Sequence, residues 1–424
     1  MPAALLDLLD STLQLWHGDR CVQSPGYALL NGQDYLFGTP ARATARLKPR
    51  DINTRYWWRL STEALQPALG PARHTGDLVH AHLMQLHAEA DKPAEIMLAV
   101  PASMQRDQLA LLLGIVQQCP FDAVALVNRS VALASLFSPS ERLFHLEIQL
   151  HQAVISELTG GADSASLKRC TPLPGCGLLQ LQERLVEIIA AEFIRQTRFD
   201  PRRKAATEQQ LYNALPQALR TLNAQPETNL DVGGYQARIS ALQLQDAGKR
   251  LFGSIRENIG SGHDNGHLVA DPLAGLLPGL TKAFTTLHVL SGSDLRTALH
   301  NHQEQIIQRQ DALSFVTDLP FLGLKSVGVP PDSAAVEKHI TVSPAPVEPT
   351  HLLNGHVATP LPRDAVTLDN SWVLYRDNNG WQLRGDGPAP QVNGNAYLPG
   401  QPLMAGDMVS IGGHSVFQLI EVNT

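Results

Sequence analysis

The sequence predicts an α/β chain over its first three quarters and a small all-β module at its end. Three observations carry this expectation. Between Glu95 and Phe137 a strand pattern, a helical pattern, a second strand and a second helix follow one another, the order that builds an α/β layer. From about Pro330 to Pro349 the chain becomes rich in proline, which reads as a semi-extended linker. Residues 350–424 then carry short strand patterns separated by Gly, Asn, Asp and Pro, with no helical period, as expected of a β-sandwich. A chain of 424 residues exceeds what one core usually accommodates. The expected organisation is therefore 1–328, a linker over 329–349, and 350–424.

At the start, Leu5 to Trp16 suggests one strand, a turn falls at His17-Gly18-Asp19, and a second strand runs from Cys21 towards Leu30. Asn31-Gly32, before Tyr35-Leu36-Phe37, is a hairpin signal. Thr75 to Ala90 has a helical period. Glu95 to Val100 is a continuous apolar run of strand length. Pro101 and Ser103 are expected to open a helix through Gln117, with Ser103 as its cap. A strand over Ala123–Val127 and a helix capped at Asn128-Arg129-Ser130 follow. Phe144 to Leu158 is strand-rich, and Leu178–Thr197 is the longest clean helical pattern. Beyond it lie a helix over Glu208–Leu222, a hairpin around Gly233-Gly234 and a helix over Leu242–Ile259. A strand over Thr286–Leu290 and a helix from Asp294 to about Gln308 complete the region.

Composition excludes several classes. Net charge is −7, with 33 basic and 40 acidic residues, and no long basic run offers a footprint for nucleic acid. No uncharged apolar stretch approaches the roughly 20 residues of a membrane helix, and the N-terminus lacks the pattern of a signal peptide, so a cytoplasmic protein is expected. Cys21, Cys119, Cys170 and Cys176 are too few and scattered for a disulfide framework.

The order of pieces over residues 1 to about 325 resembles the nucleotide-binding domain of the DnaK-type heat-shock chaperones. That domain is a branch of the actin-like ATPase fold, two lobes with ribonuclease-H-like subdomains. The residues that carry the resemblance are Ile96-Met97-Leu98-Ala99-Val100-Pro101-Ala102 and, after a helix, Ala125-Leu126-Val127-Asn128-Arg129-Ser130-Val131-Ala132-Leu133-Ala134. Asp200-Pro201-Arg202 with its following helix and hairpin, and Leu287-His288-Val289-Leu290-Ser291-Gly292-Ser293-Asp294-Leu295, are similar to further segments of that family.

In the family, glycine-rich hairpins bring backbone N–H groups to the phosphates, and Asp and Thr side chains position Mg²⁺ and water. The first hairpin corresponds here to Asp7-Leu8-Leu9-Asp10-Ser11-Thr12, where leucine replaces the glycine. The second corresponds to Leu146-Glu147-Ile148-Gln149-Leu150-His151, which has no glycine. There Gln149, Leu150 and His151 are expected to push side chains into the phosphate space. The turn on the adenosine side, Ser291-Gly292-Ser293, keeps part of its character. The resemblance thus leaves Asp7, Ser11, Ser291, Gly292 and Ser293 as residual nucleotide contacts. It implies a pseudo-ATPase that needs no cofactor, with ATP held from the adenosine side without turnover as the open alternative. From the residues alone, Asp7, Asp10 and Glu147 read as ordinary turn or strand-end carboxylates.

The C-terminal residues resemble a forkhead-associated domain. The resemblance rests on Gly380-Trp381-Gln382-Leu383, Gln391-Val392-Asn393-Gly394, Leu403 to Gly412 and Phe417-Gln418-Leu419. That family grips phosphothreonine through an Arg, a Ser and an Asn. Here Gly355 is followed by His356, and Gly385-Asp386-Gly387-Pro388-Ala389-Pro390 places an acid where the phosphate would lie. A phosphothreonine peptide is therefore not the expected partner.

Among other features, His80, His82 and His87 lack the i, i+4 spacing of a metal pair and read as exposed helix residues. The loop Gly260–His267 reads as a surface loop. Arg198, Arg202, Arg203 and Lys204 read as a solvated helix end, and Tyr56-Trp57-Trp58 as core. The function expected from all this is a non-catalytic scaffold or adaptor that assembles with other proteins in a hetero-complex. The competing readings are a nucleotide-dependent conformational switch with weak ATPase activity and a phosphothreonine-dependent adaptor.

Overall fold

A computed structural model describes residues 3–138, 142–160, 163–259, 266–284, 286–309, 313–325, 349–354, 357–362, 365–368, 371–377, 380–387, 389–392, 395–397, 403–411 and 415–420. The chain divides into two compact units, Met1–Ala334 and Ala335–Thr424. Of the linker expected at 329–349 only Pro349 is among the described residues, and most of the loop Gly260–His267 lies outside them.

Two six-stranded sheets form the frame of the first unit. In the first, Ala4–Asp7 pairs antiparallel with Gln14–His17, which pairs antiparallel with Arg20–Gln23. On its other side Ala4–Asp7 runs parallel to Glu95–Val100, then Asp122–Asn128, then Phe315–Val316. In the second, Leu143–Ile148 opens the antiparallel series Gln152–Gly160 and Ser164–Pro174. Its other neighbours are the parallel strands His267–Ala270 and Leu287–Val289. Both sheets therefore repeat one wiring, a meander whose first strand is flanked by strands arriving through helical crossovers. Asp318–Pro320 closes the far edge of the second sheet, only two residues after Phe315–Val316 has joined the first.

Side-chain alternation assigns the two faces of each sheet. Ala4, Leu6, Ile96, Leu98 and Val100 pack outward against the helices Thr75–Glu89 and Arg106–Val116. Leu5, Met97, Ala99, Ala125 and Val127 face the other way, onto the helices Arg129–Ala134 and Asp294–Asn301. The same core takes Leu143 and Val269 of the second sheet, so these two helices lie between the sheets. Phe144, Leu146, Ile148, Leu268 and Ala270 turn to the opposite face and bury against the helix Lys249–Ile259. The central strands Ala4–Asp7, Glu95–Val100 and Leu143–Ile148 are buried on both faces, which is why they carry near-continuous apolar runs, whereas the outer meander strands Arg20–Gln23 and Ser164–Pro174 keep exposed residues.

Two additions extend this frame. Ala28–Asn31 and Asp34–Phe37 form a hairpin with Ile52–Asn53 on its edge. Its two-residue turn needs a positive φ, which Gly32 supplies at 70°. The helices Leu178–Thr197 and Ala205–Ala224 and the hairpin Glu227–Ser240 share a separate core around Phe193, Leu211 and Ile239.

The structure corrects three local expectations. The strand expected from Cys21 towards Leu30 is two, Arg20–Gln23 and Ala28–Asn31, which belong to different sheets. Leu5–Trp16 is two strands, because Leu8, Leu9 and Leu13 sit in the connecting turn yet are buried; an apolar turn reads as strand. The helix after Pro101 begins at Arg106 with Gln105 as its N-cap, so Ser103 caps nothing. No helix among the described residues is long and apolar enough to cross a membrane.

In the second unit all the described strands pair antiparallel, in a six-stranded and a three-stranded sheet. Leu374, Trp381 and Leu383 of the smaller sheet and Leu352, Val409, Phe417 and Leu419 of the larger share one core. The main-chain amide of Leu383 donates to the hydroxyl of Tyr397 at 3.0 Å, which satisfies both inside that core.

Candidate functional site

The strands that open the two sheets end close together, and their carboxyl ends carry a group of buried polar residues. The alternation that points Leu5 inward also points Asp7 inward, and that of Leu143 directs His145 and Glu147 the same way. Asp271 follows the inward-facing Val269 by two residues. Arg129 begins the helix between the sheets, where Asn128 accepts a hydrogen bond from the amide of Val131 at 3.1 Å as N-cap.

These groups converge on the guanidinium. Arg129 Nε donates to Asp7 Oδ1 at 2.8 Å. Its Nη1 and Nη2 grip both oxygens of Asp271 at 2.9 and 2.8 Å, the two-pronged geometry that arginine favours. Glu147 Oε2 stands 3.6 Å from Nη1, and His145 Nε2 stands 3.6 Å from Asp271. The Arg129 side chain is 5% exposed and Glu147 0%, so one cation answers three buried acids. Burial alone would raise Asp271, but Arg129 and then His145 outweigh it and hold it down at about 2. Burial raises Asp7 and Glu147 despite the same cation. Asp7 and Glu147 stand at strand ends, as the residues alone suggest, but they are buried members of an ionic cluster.

The two turns beyond these strands are tied directly to each other. Asp10 Oδ1 accepts from the amide of Leu150 at 2.8 Å, and Ser11 Oγ donates to the carbonyl of Ile148 at 2.6 Å. The helix Leu178–Thr197 begins against the second turn. Its Leu178 and Leu179 amides donate to the carbonyls of Gln149 and Leu150 at 2.8 and 3.1 Å. Free amides at a helix start are a ready anion site; here two of them already have partners. Gly177 permits this approach, since a Cβ there would lie 2.4 Å from the backbone of His151 and Gln152.

Beside the turns lies a cavity of about 320 Å³ lined by Asp10, Trp57, Trp58, Ser103, Gln149 and Gln152. Gln149 alone of the three expected intruders lines it, with Nε2 on Ser103 Oγ at 2.8 Å. Leu150 instead fills an apolar cluster with Tyr27, Leu29 and Ala41. His151 stacks on Trp58 and bonds to Thr54. Burial raises Asp10 to about 7.

The sequence-predicted residues part company here. Asp7 and Ser11 lie at the joined turns, but neither lines this cavity. Ser291, Gly292 and Ser293 are exposed and line it no more than they do. Their turn is held by Asp294, which accepts from Ser291 N and Oγ at 2.9 and 2.6 Å and from Lys325 Nζ at 2.6 Å. Sequence reading missed Arg129, His145 and Asp271. The available signal was the Phe-His-Leu-Glu-Ile alternation and one arginine at the head of an Ala/Leu helix.

The histidines differ from expectation as well. His82 and His87 are buried, at 0% and 4% exposure. His82 stacks on Phe37 at 4.7 Å. Its Nδ1 receives the indole N–H of Trp57 at 3.1 Å and lies 2.8 Å from the hydroxyl of Tyr56. Indole only donates, so Nδ1 accepts and Nε2–H donates to Ser24 Oγ at 2.7 Å. Burial lowers this neutral imidazole to about 3. Tyr56 and Trp57 belong to the core as expected, while Trp58 is only partly buried. Arg198, Arg202, Arg203 and Lys204 are exposed.

In the second unit Asp386 is among the described residues, whereas Gly355, His356, Asn393 and Gly394 lie outside them. Comparison with family models and with curated proteins finds no match to this chain.

Proposed function

We propose that the chain is a non-catalytic scaffold or adaptor, built on a core of the actin-like ATPase type with a forkhead-associated-like module behind it. It works through protein–protein contacts in a cytoplasmic hetero-complex. The observation that carries this reading is that the interval between the two strand-ending turns is occupied by the protein's own bonds. Phosphoryl transfer needs a metal and backbone amides around the phosphates. Here Arg129 supplies the positive charge from within, and the amides of Leu150, Leu178 and Leu179 are already paired. A phosphate entering between the turns would have to displace these bonds.

The paired wiring of the two sheets supports the fold part of this reading. The acidic balance of the chain supports protein partners over nucleic acid.

Calorimetric titration with ATP and Mg²⁺, paired with a phosphate-release assay, tests the proposal. The expected result is no turnover. Saturable binding with hydrolysis that disappears in Asp7→Ala, while that variant keeps its thermal transition, overturns it in favour of a nucleotide-dependent switch. A partner captured only without phosphatase treatment, and lost on deletion of residues 350–424, would instead establish phosphothreonine reading.

A further inference from the structure

The cavity beside the joined turns carries one charge that the fold leaves unanswered. Asp10 lines it and is 5% exposed. Its Oδ1 is committed to the amide of Leu150 at 2.8 Å. Among the described residues no side chain donates to this carboxylate, and no lysine, arginine or histidine pairs with it. The titratable groups that act on it or feel it are Glu147, Tyr27 and Tyr56, none of them a cation. Arg59 lines the same cavity, but it is exposed and its guanidinium lies over the Trp58 ring at 4.9 Å. A buried carboxylate without a cation weakens a fold, and groups of that kind concentrate at functional sites.

The polar groups around Asp10 spend their donors on one another. Gln149 Nε2 donates to Ser103 Oγ at 2.8 Å and to Glu147 Oε1 at 2.9 Å, and Gln149 Oε1 accepts from Gln152 Nε2 at 2.9 Å. Gln108 accepts from the amide of Gln105 at 3.0 Å and donates to the carbonyl of Trp58 at 3.1 Å. These bonds leave two side-chain oxygens of the lining uncommitted, the second of Asp10 and Oε1 of Gln152. Both accept, and one is charged. The ring of Trp58 already carries His151 and Arg59, so an entering cation has the carboxylate and not this indole as its partner. Leu8, Pro101 and Met104 add apolar surface, and a few convergent polar groups on such a wall are the usual lining of a small-molecule site.

We infer that this cavity binds a small primary ammonium with a short apolar body, the ammonium on the second oxygen of Asp10 and on Gln152 Oε1, the body against Leu8, Pro101 and Met104. An ammonium brings three donors and a charge and so answers both oxygens, whereas an alcohol brings one donor and no charge. The inference does not depend on the scaffold reading.

The test is an NMR titration of the full chain at pH 8, where Asp10 is ionised, with cyclohexylmethylammonium and, as the neutral control of similar shape, cyclohexylmethanol. The amine should bind saturably in the millimolar range or tighter and shift the methyl signal of Met104. The alcohol should bind about tenfold more weakly, the difference one charge-assisted pair makes. Asp10→Asn keeps an acceptor for Leu150, so the variant should fold as the parent does, bind the amine more weakly by the same factor and bind the alcohol unchanged. Equal affinity for amine and alcohol, indifference of the amine to Asp10→Asn, or no saturable binding of the amine each overturns the assignment.

Discussion

Two buried polar knots lie in the first unit, and they solve the same problem in opposite ways. Around Arg129 the interior holds charge: one guanidinium, three acids and strands from both sheets. Around His82 it holds a neutral imidazole, a serine, a tyrosine and a tryptophan, all from residues 24–82. The first joins distant parts of the chain, with Arg129 separated from Asp7 by 122 residues and from Asp271 by 142. The second staples neighbouring segments of one region. A charged knot is strong only while every member is present, since losing one leaves the others buried and unpaired. A neutral knot degrades more gently.

Removing the centre of each knot should separate them. Arg129→Met leaves Asp7, Glu147 and Asp271 without their cation and should cost about 3–5 kcal/mol. Hydrogen exchange of the Leu6, Leu98 and Leu146 amides reads this loss in the intact chain. Arg129→Lys should recover only part, because an ammonium cannot hold both oxygens of Asp271 and reach Asp7 together. A cost under about 1 kcal/mol for Arg129→Met would erase the distinction between the knots. His82→Leu removes the acceptor of Trp57 and the partner of Ser24 and should cost less, about 1–3 kcal/mol. The same exchange measurement on the Leu78 and Leu83 amides checks it.

Acid sharpens the comparison further, through slopes of at most about 1.4 kcal/mol per pH unit for each group. His82 sits at about 3 in the fold against 6.5; the unfolded chain takes up its proton first, so His82 stability is lost as pH falls below 6.5. Asp10 sits at about 7 against 3.8; the folded chain takes up its proton first, so stability is gained as pH falls from 7 towards 4. The two slopes oppose one another between about pH 4 and 6.5. The deficit of His82→Leu should therefore shrink on acidification. Asp10→Asn keeps an acceptor for Leu150 and should exceed the parent in stability at pH 8, the advantage vanishing near pH 4. Urea titrations at three pH values check both signs.

Legibility followed the range of the interactions. Glu95–Val100 and Leu178–Thr197 were readable to the residue, because a run of buried strand length and a 3.6-residue period are local facts. The hairpin at Asn31-Gly32 was readable for the same reason. The first turn was misread because Leu8 and Leu9 are apolar for a tertiary purpose. His82 and His87 were read as exposed because spacing on a helix reveals which residues share a face, not how much of that face is covered. At the site, Asp7 stands out only through the resemblance of Asp7-Leu8-Leu9-Asp10-Ser11-Thr12 to a phosphate hairpin, not by its own pattern. Arg129 and Asp271 do not stand out, since each looks ordinary without the other.

By itself the sequence determined the alternation of strands and helices, the turn chemistry and the expectation of two folded regions, all of which depend on residues within a few positions of one another. Only the tertiary structure decided that the central strands of both sheets are buried on both faces. That burial turns the inward alternation of Asp7, His145 and Glu147 from a wet face into an ionic centre around Arg129. Desolvation is the physical reason: in water these side chains would be independent, and out of it they must satisfy one another.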